Sequence, residues 1–83
     1  MRYALTEHAR QVITARKIAI EWVERTLIKP ALVQSDPGTA GLSRLYCPIV
    51  EMEGRVLRVV VDLQATPVRI ISVFFDRTMK GKL

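Results

Sequence analysis

Cysteine, histidine and glycine are scarce in this chain of 83 residues, which contains one Cys, one His and four Gly. A single cysteine excludes an intrachain disulfide, and one Cys with one His excludes a structural zinc site. We therefore expect neither a metal nor a cofactor. The sequence also lacks a glycine-rich phosphate loop and the residue orders of serine or cysteine hydrolases. A domain this small, with neither a disulfide nor a structural metal, has a core of marginal stability, which favours oligomerisation or a partner protein.

Long apolar runs are also missing. The longest, RVVVDL and RIISVFF, are far too short to span a bilayer. The N-terminal MRYALTEHAR reaches charged residues before any long apolar stretch, so we expect no signal peptide. Without a repeat or a linker, residues 1–83 are expected to form a single domain. The sequence thus predicts a soluble, cytoplasmic protein with no membrane partner.

Acidic residues are few compared with basic ones. Eight Asp and Glu against thirteen Lys and Arg give a net charge of +5, and nine of the cations are Arg. Arginine binds phosphate through two parallel hydrogen bonds, whereas lysine acts as a point charge. This charge favours polyanions such as nucleic acid, although solubility alone also explains a charge of this size. Residues 78–83 are expected to form a mobile basic tail.

The first third of the chain has the periodicity of two helices. Its apolar residues at helical spacing are Leu5, Ala9, Val12, Ile13, Ile20, Val23 and Leu27. Thr6 is suited to cap the first helix, with Glu7 near the positive end of the helix dipole. Glu21 and Arg25 have the spacing of a helical ion pair. Pro30 ends the segment, because the residue before a proline avoids helical geometry.

The remaining two thirds favour β-strands. After the turn SDPG, the segments RLYCPIVEM, RVLRVVVDL and VRIISVFFD are rich in β-branched and aromatic residues, and ALVQS adds a possible short strand before them. Glu53-Gly54 is expected to make a two-residue turn between the first two long strands. The sequence therefore predicts an α+β fold in which two N-terminal helices pack on one face of a three- to four-stranded antiparallel meander.

Those turns set a strand register. The Glu53-Gly54 turn places Ile49 opposite Arg58, and a four-residue QATP loop places Asp62 opposite Arg69. The predicted helix-covered face then contains Tyr46, Val50, Leu57, Val59, Val61, Leu63, Val68, Ile70 and Phe74. The predicted outer face contains Leu45, Cys47, Ile49, Val60, Ile71, Val73 and Phe75, with Arg58, Asp62 and Arg69 among them. A slip of one residue would exchange the two faces.

The predicted outer face is too apolar to meet only water, which indicates a protein interface or a binding site. In this register Asp62 and Arg69 form a cross-strand ion pair. Such a pair is worth less than about 1 kcal/mol when exposed. Arg58 has no acidic neighbour and is therefore the better candidate for binding phosphate.

The segment LTEHARQVITARKIAIEWVERTLIKP, followed by GRVLRVVVD and TPVRIISVFFDR, resembles a family of small bacterial domains of unknown function. The resemblance covers about residues 4–77. Its matching positions are His8, Arg16, Ile18, Val23, Glu24, Pro30, Arg58, Asp62, Asp76 and Arg77. Such domains resemble the RelE-like toxins and, more distantly, barnase-like ribonucleases. The resemblance thus implies a cytoplasmic, metal-independent endoribonuclease that an antitoxin protein inhibits.

The sequence departs from that family pattern between the helices. The family usually has Arg-Gly-Ile-Ser there, and this chain has Arg16, Lys17, Ile18 and Ala19. Loss of the turn-forming glycine and of the capping serine costs roughly 1 kcal/mol each if the break is kept. The break is therefore expected to be shifted, tightened, or replaced by a bent continuous helix, because Ala, Arg and Lys are good helix formers.

The catalytic candidates that the resemblance implies are His8, Arg16 and Arg58. Histidine can transfer a proton at neutral pH, and arginine can stabilise charge on a phosphate. The RNA-binding candidates are Arg44, Tyr46 and Arg69, where the tyrosine could stack on a base. A surface or interhelical hydrogen-bonding role for His8 is the plainer alternative. Helices on one sheet face would also separate His8 from an Arg58 on the other.

Three functions stay open at this point. The first is a RelE-like, metal-independent ribonuclease toxin or a derivative of one. The second is a noncatalytic RNA- or protein-binding module of the same fold. The third is an interaction domain that forms a homodimer through its apolar sheet face.

Overall fold

The computed structural model describes residues 2–83 and contains two helices and five strands. They follow in the order β1 (Tyr3–Leu5), α1 (Glu7–Ala15), α2 (Ile20–Ile28), β2 (Leu32–Ser35), β3 (Ser43–Ile49), β4 (Arg55–Asp62) and β5 (Val68–Phe75). Short 3₁₀ turns span Val50–Met52 and Arg77–Met79. The predicted α+β class is confirmed, whereas the mobility of residues 78–83 stays a prediction. No helix within residues 2–83 is both long and apolar enough to cross a membrane.

The sheet is mixed, with the strand order β1-β5-β4-β3-β2. The prediction of a three- to four-stranded antiparallel meander is therefore wrong, although the short strand at ALVQS is present as β2. The missed strand is β1, which runs parallel to β5 and pairs Tyr3 with Val68 and Leu5 with Ile70. Three residues are too few to show a strand period, and Leu5 also fitted the helical pattern that follows it.

Thr6 caps α1 as expected, since its hydroxyl oxygen accepts a hydrogen bond from the Ala9 amide at 3.1 Å. The same hydroxyl donates to the Ile71 carbonyl at 3.2 Å, which fastens the start of α1 to β5. The predicted helical pair between Glu21 and Arg25 is wrong. The Arg25 guanidinium turns instead to a carboxylate in the first 3₁₀ turn.

The two helices are separate, with a break over residues 16–19. Lys17 takes the left-handed conformation, with φ of 53°, that a glycine would adopt at lower cost. The Lys17 amide donates to the Thr14 carbonyl at 3.3 Å, and the Ile18 amide donates to Ile13 at 3.0 Å. These two bonds form a Schellman motif that closes α1. α2 then begins after Ala19, which supplies no side-chain cap.

The predicted register between β3 and β4 is wrong. Ile49 lies opposite Arg55, and Tyr46 lies opposite Arg58. Val50–Met52 form a 3₁₀ turn, so the connection is longer than a two-residue hairpin. The resulting offset of three residues is odd, and an odd offset exchanges the two faces of β3.

The predicted pairing of β4 with β5 is right at one end only. Asp62 lies opposite Arg69 as expected, but a β-bulge between Val60 and Val61 shifts the remaining pairs, so that Val60 lies opposite Ser72. The shift exchanges the faces in the last part of β5. As a result Phe75, rather than Phe74, lies on the helix-covered side.

The hydrophobic core lies between the two helices and the sheet. Its buried members are Ala9, Ile18, Val23, Leu27, Leu45, Cys47, Ile49, Leu57, Val59, Val61, Ile70 and Val73. The sequence had placed Leu57, Val59, Val61, Val68 and Ile70 correctly on this side. It had wrongly placed four residues on this side, namely Tyr46, Val50, Leu63 and Phe74. It had wrongly placed five others on the outer face, namely Leu45, Cys47, Ile49, Val73 and Phe75. The errors in β3 and β5 follow from the two register shifts, whereas Val50 lies in the 3₁₀ turn and Leu63 lies beyond the end of β4.

Candidate nucleic-acid interface

His8 and Arg16 lie at opposite ends of α1. His8 is exposed in the first turn, and Arg16 is the exposed residue that caps the last one. Eight residues of helix separate them by about 12 Å along the axis. The two side chains therefore do not share one site through the helix itself.

Arg58 lies on the other side of the sheet from the helices. Its cross-strand neighbours are Tyr46 and Phe74, and directly opposite residues share a face. The neighbours of Arg58 along β4, Leu57 and Val59, belong to the core beneath the helices. The sheet thus separates Arg58 from His8, and the three catalytic candidates do not come together.

We call the sheet surface that faces away from the helices the open face. It brings together Arg44, Tyr46, Arg58 and Arg69, three of which were the RNA-binding candidates. Each of these arginines is paired with an aspartate. The pairs are Arg44 Nε with Asp36 Oδ1 at 2.8 Å, Arg58 Nη1 with Asp76 Oδ2 at 3.3 Å, and Arg69 Nη2 with Asp62 Oδ2 at 3.5 Å. A phosphate would have to compete with an aspartate for each of them.

Arg58 is held more firmly than a surface arginine. Its guanidinium carbon lies 4.1 Å from the centre of the Phe74 ring, and its side chain is only 18% exposed. Its buried Nε atom finds no hydrogen-bond partner among residues 2–83. The expectation that Arg58 lacks an acidic neighbour is wrong, because the shifted register and the end of β5 bring Asp76 beside it.

Tyr46 is 2% exposed, so it would have to leave a packed position to stack on a base. The arginines of the open face are also neutralised by the aspartates beside them. Hydrogen bonding from Arg44 lowers the pKa of Asp36. Hydrogen bonds from Thr78, with the positive charge of Arg58 nearby, lower the pKa of Asp76. Both carboxylates are therefore charged at neutral pH and neutralise their arginines.

A second group of cations lines a groove at one end of the molecule, which we call the basic cleft. It consists of two adjoining cavities of about 340 and 330 Å³ that share Arg55, Phe75 and Arg77. The remaining lining residues are Arg16, Lys17, Ile18, Trp22, Met52, Val56, Phe74, Asp76 and Lys80. The cleft thus lies where the α1–α2 connection, the start of β4 and the end of β5 meet.

The aromatic residues Trp22 and Phe75 form part of the wall of this cleft. Their rings meet edge to face, with centroids 6.2 Å apart and an interplanar angle of 65°. The Arg55 guanidinium carbon lies 4.3 Å from the centre of the Phe75 ring. A cation–π contact orients the guanidinium without neutralising it, so Arg55 keeps its full charge for a ligand.

The cations of the basic cleft differ from those of the open face in having no acidic partners. Within residues 2–83, none of Arg16, Lys17, Arg55, Arg77 and Lys80 forms an ion pair. Among the residues that the structure describes, Asp76 is the one carboxylate that lines the cleft, and Arg58 and Thr78 already bind it. Five positive side chains therefore surround one groove with little local compensation.

The cations of the cleft suit it to anions. Across residues 2–83 no group of three or more His, Cys, Asp and Glu side chains could hold a metal. Guanidinium and ammonium groups around a groove instead match the oxygen atoms of phosphate or carboxylate.

Sequence reasoning identified only Arg16 among the cleft cations as a site residue. It missed Lys17, Arg55, Arg77 and Lys80, because these come from a helix connection, a strand start and a terminal turn. One signal was present, since Arg77 is among the positions that match the family pattern. The bulge in β5 concealed the role of Phe75.

Comparisons with known proteins give a family without a function. A family model described as a domain of unknown function, DUF4258, matches residues 5–75. No curated protein and no solved structure matches the chain. The resemblance to RelE-like toxins and barnase-like ribonucleases gains no support here. The chain belongs to the DUF4258 family of domains of unknown function.

Proposed function

We propose that this domain is a noncatalytic nucleic-acid-binding module that holds the phosphates of single-stranded RNA in the basic cleft. One observation carries the proposal. The five cations of the cleft have no acidic partner within the described chain, whereas every arginine of the open face that the sequence selected is neutralised by an aspartate. The net charge of +5 adds long-range attraction for a polyanion.

The shape of the cleft favours a strand over a single small anion. Its two cavities share the lining residues Arg55, Phe75 and Arg77, so the cations are spread over both cavities and not gathered at one point. Proteins that bind single strands commonly combine a positive groove with aromatic side chains. Trp22 is half-buried at the cleft wall and can offer its exposed part to a base, whereas Arg55 already covers Phe75.

The ribonuclease alternative requires a general base and a general acid beside the scissile phosphate. His8 lies at the far end of α1 from the cleft residue Arg16, about 12 Å away along the axis. Asp76 lines the cleft, but its lowered pKa and its bonds to Thr78 and Arg58 make it a poor proton acceptor at neutral pH. These positions support binding without cleavage.

The homodimer alternative would use the apolar residues of the open face. Tyr46, Val56 and Val60 are 2%, 1% and 8% exposed, so little of that apolar surface is available to a second copy. This is why we place RNA binding ahead of self-association.

The test is fluorescence anisotropy with a labelled oligouridine and with DNA of matching length. Affinity is measured at several KCl concentrations between about 50 and 200 mM, because each phosphate contact on a single strand contributes about 0.7 to the salt slope. Arg55→Ala and Arg77→Ala are expected to weaken binding several-fold. Lys29→Ala is the matched control, since this exposed lysine lies at the opposite end of α2 from the cleft.

Several outcomes are decisive. Absence of RNA binding by the folded wild type, or equal losses in Lys29→Ala and Arg55→Ala, would refute the proposal. Binding to an acidic polypeptide but not to oligouridine would indicate a protein partner such as an antitoxin. A denaturing gel of the same RNA tests cleavage, and cuts that disappear in His8→Ala would replace the binding module by a ribonuclease.

A further inference from the structure

Asp76 lies where the open face meets the basic cleft. It directly follows β5 and precedes the 3₁₀ turn Arg77–Met79. Its Oδ1 atom accepts hydrogen bonds from the Thr78 amide at 3.0 Å and from the Thr78 hydroxyl at 2.6 Å. Its own amide donates to the Val56 carbonyl at 2.8 Å. The carboxylate thus caps the turn that begins beside it.

The other oxygen of Asp76 reaches across to the open face. Oδ2 lies 3.3 Å from Nη1 of Arg58, and the two side chains are only 11% and 18% exposed. Arg58 is in turn fixed against the Phe74 ring. A largely buried cation therefore holds, through one carboxylate, the turn that carries cleft cations.

We propose that Arg58 and Asp76 are positioning residues, which hold the turn Arg77–Met79 so that Arg77 and Lys80 stay in the basic cleft. This inference rests on the proposed function. It gives Arg58 a role through its partner and not through direct contact with RNA. It also explains why an acidic residue lines a groove that is otherwise suited to anions.

The positioning role and simple electrostatics predict opposite results for Asp76→Ala. Removal of a negative charge from the cleft wall should strengthen RNA binding if only Coulomb attraction matters. Loss of the turn's cap and of its ion pair should instead weaken binding, because two cations lose their fixed places. The sign of the change separates the two explanations.

The experiment measures the affinity of wild type, Asp76→Ala and Thr78→Val for labelled oligouridine over a range of salt. We expect Asp76→Ala to bind several-fold more weakly, with a salt slope smaller by up to about 1.4, or two phosphate contacts. Thr78→Val keeps the backbone bond and should lose less. Asp62→Ala is the matched control, because it removes an equal charge from an ion pair on the open face away from the cleft. Affinity of Asp76→Ala equal to or above that of wild type, with an unchanged slope, would overturn the proposal.

Amide hydrogen exchange, measured without RNA, provides an independent readout. Asp76→Ala and Arg58→Ala should both speed exchange at Thr78 and Met79, while amides in the centre of β4 stay protected. The protected β4 amides show that the variants are folded. Unchanged exchange at Thr78 would overturn the positioning role. Wild type that binds no RNA would refute the proposed function. If exchange at Thr78 is nevertheless faster in Asp76→Ala, the role of Asp76 in holding the turn stands.

Discussion

Arg25 and Glu51 form a bidentate ion pair, in which Nη1 of Arg25 lies 2.8 Å from Oε1 of Glu51 and Nη2 lies 2.7 Å from Oε2. The pair ties α2 to the 3₁₀ turn between β3 and β4. Since α2 carries Trp22, the same contact anchors one wall of the basic cleft. Hydrogen bonding from Arg25 lowers the pKa of Glu51 from 4.5 to about 2, with a smaller contribution from the Trp22 side chain.

The first prediction concerns the acid stability that this pair provides. Because the pKa of Glu51 is lower in the folded protein, the unfolded chain takes up the proton first as the pH falls. The stabilisation is present above about pH 4.5 and is lost as the pH falls towards 2. Glu51→Gln should therefore unfold more easily at pH 7 and show a weaker loss of stability between pH 4.5 and 2. Urea unfolding at a series of pH values measures this difference.

Glu53→Gln is the control for that series. Glu53 lies two residues further along the chain and forms no ion pair within the described residues. Its variant should reproduce the pH profile of the wild type. If both variants flatten the profile equally, net charge is the cause and the pair with Arg25 is not.

The second prediction concerns the left-handed Lys17 between the helices. Glycine adopts φ of 53° without the steric cost that a side chain imposes, so Lys17→Gly should stabilise the domain by about 1 kcal/mol. Lys17→Ala should bring no such gain, because alanine keeps a Cβ atom. Both variants remove the same cleft charge and should weaken RNA binding alike. A Gly variant no more stable than the Ala variant in urea would refute the strain at Lys17.

The third prediction concerns the uncapped start of α2. Ala19 has extended backbone geometry, but it has no side-chain oxygen that could accept a hydrogen bond from a free amide of the first turn. Ala19→Ser should add that hydrogen bond and stabilise the domain by roughly 0.5–1 kcal/mol. Ala19→Val is the control, since it adds volume without an acceptor. A midpoint of thermal unfolding that rises for Ser but not for Val would support the cap, and equal midpoints would contradict it.

Local periodicity predicted the helices and the long strands, but it could not set which side of each strand faces the helices. Side chains alternate along a strand, so any odd shift exchanges the faces. The 3₁₀ turn at Val50–Met52 and the bulge beside Val61 both produce such shifts. Neither has a strong local signature, since a Glu53-Gly54 pair fits a two-residue hairpin equally well.

The candidate site was harder to predict because it depends on those same shifts. With Phe75 placed on the outer face, its aromatic pair with Trp22 could not be foreseen. The pairing of Arg58 with Asp76 was hidden for the same reason. Charge composition did predict an affinity for polyanions, but only the three-dimensional structure separates the neutralised arginines from the unpaired ones of the cleft.

The last prediction compares two leucines whose burial the sequence predicted wrongly. The sequence placed Leu63 beneath the helices and Leu45 on the outer face, whereas Leu45 is 3% exposed in the core and Leu63 is 45% exposed. Leu45→Ala should lower the free energy of unfolding by about 2–5 kcal/mol, because it leaves a cavity in a packed core. Leu63→Ala should change it by no more than roughly 0.5 kcal/mol. The two variants remove the same atoms, so the comparison isolates the burial of each site. Urea unfolding in which Leu45→Ala costs no more than Leu63→Ala would refute the register of β3 on β4, because that register places Leu45 in the core.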